Sequence, residues 1–196
     1  MATVDPIEGK DWPEELIKMI DPEQMTELEQ GLTRYWAHRP DLVKGLAAFS
    51  GSLKTNRLLP EKLVELIRLR IAFFNQCRSC MAIRYTDALN DGLTEELVCS
   101  LEKPEASEDF TEAEKAAIRY GELMAADHLA IDDDIYDELR KHYSQAEIVE
   151  LGMTAAFFVG FGRLAATYHM VAELPQAFQA ADGEISPWHN DAITVR

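Results

Sequence analysis

The chain has 196 residues, of which 47% are hydrophobic, so it is long enough and apolar enough to bury the core of one globular domain. Aspartate and glutamate number 35 against 19 lysines and arginines, which gives a formal net charge of −16 at pH 7. Because this charge repels phosphate backbones and anionic lipids, the composition argues against nucleic-acid binding and against attachment to a membrane surface.

The first predicted helices lie before residue 58. Residues 1–16 lack the basic and apolar regions of a signal peptide. Residues 25–53 then predict two helices with a break at Arg39-Pro40, because a proline disfavours helical geometry in the residue before it. We expect a single domain in which residues 1–57 form a helical extension, residues 58–180 form the core and residues 181–196 form a tail.

The helical repeat continues through the core. Residues 59–76 have apolar side chains at spacings of three and four, with Pro60 near the start, which predicts a helix. Further helices are predicted at 79–92, 93–102, 111–128, 131–142 and 145–172. Thr111 followed by Glu114 is a capping-box pattern. No segment alternates at period two, so the sequence predicts an all-α fold with an irregular C-terminal tail.

The most apolar segment lies at 151–166. It is short for a bilayer span and contains Arg163, so we expect a soluble cytoplasmic protein with no membrane association. Residues 62–87 and 147–172 also share five identities when they are aligned at an offset of 85 residues. Five identities fit either chance similarity between amphipathic helices or an internal repeat of one helical hairpin, of which only the first copy has cysteines.

Two of the three cysteines, Cys77 and Cys80, form a C-x-x-C pair. The helix prediction places Cys77 at a bend between two helices and Cys80 in the first turn of the second. There the helix N-terminus, together with Arg78 and Arg84, favours a thiolate. The spacing also allows a disulfide. A thiolate, a second thiol and local positive charge are what the two-electron reduction of a peroxide requires.

The residues by themselves leave several roles open for this pair. Close cysteine pairs in cytosolic proteins are often redox-active or metal-binding, but buried free cysteines are also common packing residues. A zinc site needs about four ligands, and the chain has no second C-x-x-C or C-x-x-H. We therefore predict no metal and no bound cofactor. Cys99, in an amphipathic helix, is predicted to be a core residue.

The pattern E-x11-C-x2-C, formed by Glu65, Cys77 and Cys80, resembles the signature of the carboxymuconolactone decarboxylase/AhpD-like superfamily. Within it, residues 58–100 are similar to the alkylhydroperoxidase branch. The resemblance implies an all-α, AhpD-like fold that assembles as a homo-oligomer, either a trimer or a hexamer. It also implies that Cys80 attacks the peroxide, that Cys77 is its disulfide partner and that Glu65 is the acid of a proton relay.

The chain departs from this pattern at Arg84, where the alkylhydroperoxidase branch has a relay histidine. An arginine stabilises a thiolate but stays protonated, so it cannot shuttle protons. Arg84 is therefore a candidate catalytic residue as a charge that tunes Cys80 or as a group that binds an anionic substrate, and water or Glu65 would carry the proton. The residues also allow simpler i, i+3 pairs on helix surfaces, Glu65 with Arg68 and Asp87 with Arg84.

These features predict a thiol-dependent (alkyl)hydroperoxide reductase. Its substrate would be a small-molecule hydroperoxide, and an external dithiol or a thioredoxin-like protein would supply the electrons. One alternative is a decarboxylase-like lyase or isomerase acting on a small carboxylated ring, and another is a non-catalytic, redox-responsive oligomer. The C-x-x-C pair favours the reductase and the redox-responsive oligomer over the lyase.

Overall fold

The computed structural model describes residues 4–179 and 183–196. Its helices are α1 (Glu14–Ile17), α2 (Glu27–Gln30), α3 (Thr33–Trp36), α4 (Pro40–Thr55), α5 (Glu61–Phe74), α6 (Arg78–Ala82), α7 (Thr86–Asn90), α8 (Glu95–Ser100), α9 (Glu112–Ala126), α10 (Asp133–Arg140), α11 (Gln145–Thr167) and α12 (Gln176–Gln179). Short 3-10 helices occupy Gly9–Asp11, Pro22–Gln24, Pro104–Ala106 and His128–Ala130. The strands β1 (Ile83–Tyr85) and β2 (Ile193–Val195) form a small parallel sheet. The predicted all-α class is therefore confirmed, with one small sheet added.

α5 is the central helix of the core. It packs against α9, α11 and α7, and most of its length from Leu63 to Ala72 is buried. Gly121 allows α9 to approach α5 closely, because a Cβ at this position would lie only 2.9 Å from a methyl carbon of Ile67. Since α5 is enclosed by other helices, its polar residues are held in fixed positions inside the protein.

Local sequence signals set the starts of the longer helices. Pro40 is the first residue of α4, where its missing N–H has no helical partner to lose. Thr111 and Glu114 form the predicted capping box at α9, and Ser144 and Glu147 form another at α11. The predicted break at Arg39-Pro40 is confirmed.

The prediction of one helix over 79–92 is wrong. The chain leaves the helical conformation at Ile83 and returns to it at Thr86. The intervening strand β1 pairs in parallel with β2, with Arg84 opposite Thr194. The pairing partner comes from the tail, so the tail that was predicted to be irregular contains a strand. Positions 181 and 182 of that predicted tail lie outside the described residues.

The two similar segments do not both form helical hairpins. In the first, α5 ends at Phe74 and α6 begins at Arg78, with the cysteine motif at the bend. In the second, α11 continues without a break through Thr167, short of the predicted end at 172. The five shared residues therefore do not mark a repeated hairpin.

One helix among the described residues is long and apolar enough to cross a membrane by those two criteria alone. It is α11, in which an 18-residue window has a mean hydropathy of 1.5 and is 28% buried. Core helices of soluble proteins pass the same test, so the helix by itself is weak evidence for a membrane span. Within the described residues, α11 has exposed apolar side chains at Val149, Met153 and Leu164.

Candidate functional site

A tight turn between α5 and α6 places the cysteine pair. Gln76 adopts a left-handed conformation, with φ of 48°. Its N–H donates to Phe73 O at 3.0 Å, and the Cys77 N–H donates to Ala72 O at 3.1 Å, which is the Schellman pattern of a helix end. This conformation is unfavourable for a residue with a Cβ. The Gln76 amide, however, makes two hydrogen bonds to the backbone of Ile185, at 3.1 Å each, so residues 183–196, here called the C-terminal segment, support the turn.

The two cysteines are joined by a disulfide, with their Cα atoms 5.2 Å apart. Cys77 is the N-cap of α6, and its Sγ accepts the Cys80 N–H at 3.4 Å. Their surroundings differ, since Cys77 is completely buried whereas Cys80 is partly exposed and borders a cavity. Ser79 borders the same cavity, and its Oγ lies 3.7 Å from Cys77 Sγ. A molecule that enters the cavity therefore meets Cys80 before Cys77.

The cavity beside Cys80 has a volume of about 290 Å³ and a mainly apolar lining. One wall consists of aromatic rings. Trp36 of α3 meets Phe161 of α11 edge-to-face with ring centres 5.7 Å apart, and Phe157 lies 4.9 Å from Phe161. Residues 28–33 form a second wall. Mainly apolar concave sites with a few polar groups are typical of small-molecule binding.

A buried ion pair lies behind α6. Arg68 Nε and Nη2 donate to the two carboxylate oxygens of Glu65 at 2.6 and 2.7 Å. Arg68 also donates to Cys80 O at 2.5 Å and to Ile83 O at 3.0 Å. The pairing of Glu65 with Arg68 is thus present, but it is buried and not on the surface. Burial disfavours the charge on Arg68, but the Glu65 carboxylate outweighs that effect and raises the pKa of Arg68.

Among the described hydrogen bonds, Glu65 reaches the cysteine pair only through Arg68. Its Oε1 also accepts the Tyr85 N–H at 3.3 Å. Glu65 lines a second cavity, of about 340 Å³, and the side chains of Arg68 and Tyr85 border both cavities. The structure therefore brings Glu65, Cys77 and Cys80 into one region, with Arg68 as the direct link.

Arg84 is 1% exposed, and its guanidinium is engaged by backbone carbonyls and by α8. Nε and Nη2 donate to the Glu95 carboxylate at 3.0 and 3.1 Å. Other N–H groups donate to Met81 O and Pro187 O, each at 2.8 Å, and to Ile83 O at 3.0 Å. These contacts tie the segment after the cysteines to the C-terminal segment. The influence of Arg84 on Cys80 stays a prediction.

Two charged side chains near the cysteines, Asp87 and Arg78, contact other parts of the chain. Asp87 pairs with Lys54 of α4 at 2.6 Å, so its predicted pairing with Arg84 is wrong. The physical reason is that β1 replaces one turn of the predicted helix, which removes the i, i+3 spacing between Arg84 and Asp87. Arg78 donates to the carbonyl of Gln179, the last residue of α12, at 3.4 Å.

The C-terminal segment also binds the second wall of the Cys80 cavity, which residues 28–33 form. Arg196 donates to the two carboxylate oxygens of Glu29 at 3.0 and 3.2 Å and to Gln24 O at 2.5 Å. Hydrogen bonds from Arg196 and from the Thr26 N–H lower the pKa of Glu29 to about 2. Glu29 borders the Cys80 cavity, so this contact links the end of the described chain to the site.

Sequence reasoning missed Ser79, the wall formed by residues 28–33 and the aromatic ring of Trp36. Ser79 could have been singled out from its position between the two cysteines, where its hydroxyl lies close to Cys77 Sγ. The wall carries no local signal in the sequence. Its place beside Cys80 depends on contacts between segments that are far apart in the chain.

Residues 40–123 match the model of the carboxymuconolactone decarboxylase family. The matched region begins at the start of α4, which the sequence had assigned to the N-terminal extension. An uncharacterized protein from Mycobacterium tuberculosis, Rv2313c, is 36% identical over 121 residues, which is 59% of this chain and 41% of that protein. An uncharacterized protein from Bacillus subtilis, YdfG, is 28% identical over 88 residues, which is 44% of this chain and 60% of that protein. The chain thus spans less than two thirds of the length of these relatives.

Two solved structures are similar to this one. One is the alkylhydroperoxidase AhpD core of an uncharacterized peroxidase-related protein from Ralstonia eutropha, with a TM-score of 0.69 and 17% identity over 91% of this chain and 94% of that chain. The other is a protein of unknown function from Agrobacterium tumefaciens, provisionally described as an AhpD antioxidant defence protein. Its TM-score is 0.62 and its identity 23%, over 72% of this chain and 95% of that chain. At these identities the similarity shows the fold.

Proposed function

We propose that this chain is a thiol-dependent hydroperoxide reductase of the carboxymuconolactone decarboxylase/AhpD-like superfamily, which the family match over residues 40–123 and the similar fold support. The observation that carries the proposal is the difference between its paired cysteines. Cys80 borders an apolar cavity, and Cys77 is buried behind it within disulfide distance. Peroxide reduction by a dithiol needs one accessible attacking sulfur and a second sulfur that resolves the product.

The reaction begins with both cysteines reduced. The Cys80 thiolate attacks one peroxide oxygen, the O–O bond breaks, and the released alkoxide takes up a proton and leaves as an alcohol. Cys80 is then a sulfenic acid. The Cys77 sulfur attacks the Cys80 sulfur, water leaves, and the disulfide described above forms. An external dithiol or a thioredoxin-like protein reduces this disulfide to two thiols and is itself oxidised, so the cycle needs no bound cofactor.

Proton transfer in this scheme requires a group other than Arg84, which stays protonated. The Ser79 hydroxyl lies next to Cys77 Sγ and borders the cavity, so it can pass the Cys77 proton to water in the cavity. We assign Arg68 and Arg84 positioning roles. Arg68 holds the carbonyl of Cys80, and Arg84 holds the segment that follows it.

The lining of the cavity supports a neutral, apolar hydroperoxide as the substrate. Trp36, Phe157 and Phe161 present aromatic surface towards the space beside Cys80. Arg68 borders this space, but its guanidinium is bound by the Glu65 carboxylate and by two carbonyls. An aromatic hydroperoxide such as cumene hydroperoxide matches these surroundings better than a carboxylated one.

The proposal is tested by treating the reduced protein with one equivalent of cumene hydroperoxide. Thiol titration before and after the reaction should show the loss of two thiols, and peptide mapping should find the Cys77–Cys80 link. Cys80→Ser should stop peroxide consumption, whereas Cys77→Ser should leave a sulfenic acid on Cys80 that dimedone traps. Both variants are made in a Cys99→Ser background, so that the free Cys99 thiol cannot consume peroxide, and this background alone should behave as the wild type. Peroxide consumption that survives Cys80→Ser, or a cysteine pair that peroxide leaves reduced, would disprove the proposal.

We also propose that the chain assembles into a homo-oligomer through an apolar face on α4 and α11. Exposed apolar side chains on these helices are Leu42, Phe49, Val149, Met153 and Leu164. Apolar surface of this kind is usually covered by a partner. Light scattering should give the mass of three or six 22.1 kDa chains, and a monomer mass would contradict the proposal. We also propose a cytoplasmic location, because the reducing cytoplasm would supply the dithiol that the proposed cycle needs.

A further inference from the structure

A second sulfur site lies outside the C-x-x-C pair. Cys99, on α8, is partly buried, and its Sγ lies 3.5 Å from Nδ1 of His189. The other ring nitrogen, Nε2, lies 3.3 Å from Oε2 of Glu102. A thiol, an imidazole and a carboxylate are therefore connected in series through the two nitrogens of one histidine.

The histidine is anchored next to the core. Trp188, the preceding residue, is buried, with its ring 4.7 Å from that of Phe73 and beneath the guanidinium of Arg70 at 5.5 Å. The C-terminal segment thus brings His189 to α8 from a distant part of the sequence. The contact with Cys99 follows from this packing and not from closeness in the chain.

The order of the three groups is the one that activates a thiol. The Glu102 carboxylate can only accept a hydrogen bond, so it favours the tautomer in which the His189 proton is on Nε2. Nδ1 then presents its lone pair to the Cys99 thiol and can accept the thiol proton. A nucleophile beside a base that a third group orients is the arrangement of an activated nucleophile.

We propose that Cys99 is a modification site that forms mixed disulfides with low-molecular-weight disulfides, with His189 as the proton acceptor and Glu102 as the group that orients it. The Cys99 thiol gives its proton to His189 as its sulfur attacks one sulfur of the incoming disulfide. The S–S bond of that disulfide breaks, and the leaving thiolate takes the proton from His189. The products are a mixed disulfide on Cys99 and one free thiol. The side chains of His189 and Glu102 are more than half exposed, which gives a small disulfide access to the site.

The oxidised protein gives a direct test, because two of its three cysteines are in the Cys77–Cys80 disulfide and Cys99 is the remaining thiol. The test therefore does not depend on peroxidase activity. The oxidised protein is mixed with excess 4,4′-dithiodipyridine, a neutral disulfide whose product absorbs light, at neutral pH. Its second-order rate is compared with that of the same protein unfolded in urea. We expect the native protein to react faster, although Cys99 is partly buried, because His189 takes the proton.

Two variants and one control assign the effect to the connected groups. His189→Asn should slow the reaction of the native protein by about tenfold. This is less than the ~10²–10⁴-fold effect typical of general acid–base catalysis, because the site is exposed to water. Glu102→Gln should slow it less, because the imidazole is still present. The matched control is His142→Asn, since His142 makes the same 3.3 Å contact to a carboxylate, that of Glu138, on another helix. It should leave the rate unchanged.

The proposal is overturned if native Cys99 reacts no faster than the unfolded chain, or if His189→Asn reacts as fast as the wild type. Circular dichroism shows whether His189→Asn is folded. If it is not, the folded Glu102→Gln variant decides the question. An unchanged rate in Glu102→Gln would then overturn the proposal, and a slower rate would support it.

Discussion

Replacing Arg68 with methionine tests whether the buried ion pair stabilises the region behind the cysteines. The substitution keeps a long apolar side chain but removes the partner of the Glu65 carboxylate, which is 3% exposed. It also removes the donor to the carbonyls of Cys80 and Ile83. Removing one member of a buried ion pair typically costs about 3–5 kcal/mol, because the remaining charge is left without compensation. We therefore expect the free energy of unfolding to fall by about 4 kcal/mol.

A double variant separates the unpaired charge from the other losses. In Arg68→Met combined with Glu65→Gln, both charges are absent, so the double variant should be more stable than Arg68→Met alone. Arg140→Met is the matched control, because Arg140 pairs with Asp137 at the same i, i+3 spacing while about half of its side chain is exposed. Exposed pairs of this kind contribute about 0–1 kcal/mol.

Urea denaturation followed by circular dichroism, at one protein concentration, gives the free energies of unfolding of the wild type and the three variants. If Arg68→Met loses no more stability than Arg140→Met, burial does not make the Glu65–Arg68 pair more important for stability than an exposed pair, and the reasoning is refuted. If the double variant is no more stable than Arg68→Met, the loss comes from the unpaired carbonyls or from packing, and the argument from the unpaired Glu65 charge is wrong.

Two further predictions concern α11 and the wall of the cavity. Gly162→Ala should lower the free energy of unfolding by about 1–3 kcal/mol, because the added Cβ would lie 2.6 Å from Nδ2 of Asn75. Gly160→Ala should instead raise the free energy of unfolding by up to about 1 kcal/mol, because the added Cβ would meet no other atom within 4 Å. Urea midpoints that move in the same direction would contradict this pair. The hydrogen bond from Arg196 is the main reason that the pKa of Glu29 is lowered from 4.5 to about 2. The ionised Glu29 therefore stabilises the fold fully above pH 4.5, and this stabilisation is lost as the pH falls towards 2. Urea denaturation over this pH range should show a larger loss for the wild type than for Glu29→Gln, and parallel curves would disprove the linkage.

The sequence by itself determined the features that depend on neighbours within about one helical turn. The all-α class, the start of α4 at Pro40 and the capping box at Thr111 all follow from contacts between residues a few positions apart. The placement of Cys77 at a bend and Cys80 in the first turn of a helix is of the same kind. The C-x-x-C spacing at the start of a helix also allows the two sulfurs to form a disulfide, as they do here.

Only the tertiary structure decided what surrounds the sulfurs. Arg84 was expected on a helix beside Cys80, but the pairing of β1 with β2 takes it out of the helix and directs its guanidinium to Glu95 and Pro187. The aromatic wall at Trp36 likewise comes from a segment far from the cysteines in the chain. Strand pairing and cavity walls are contacts between distant segments, and their formation depends on how the whole chain packs. A local pattern of side chains does not show which distant segment will pack against it. The sequence therefore predicts the dithiol but not the cavity that it faces.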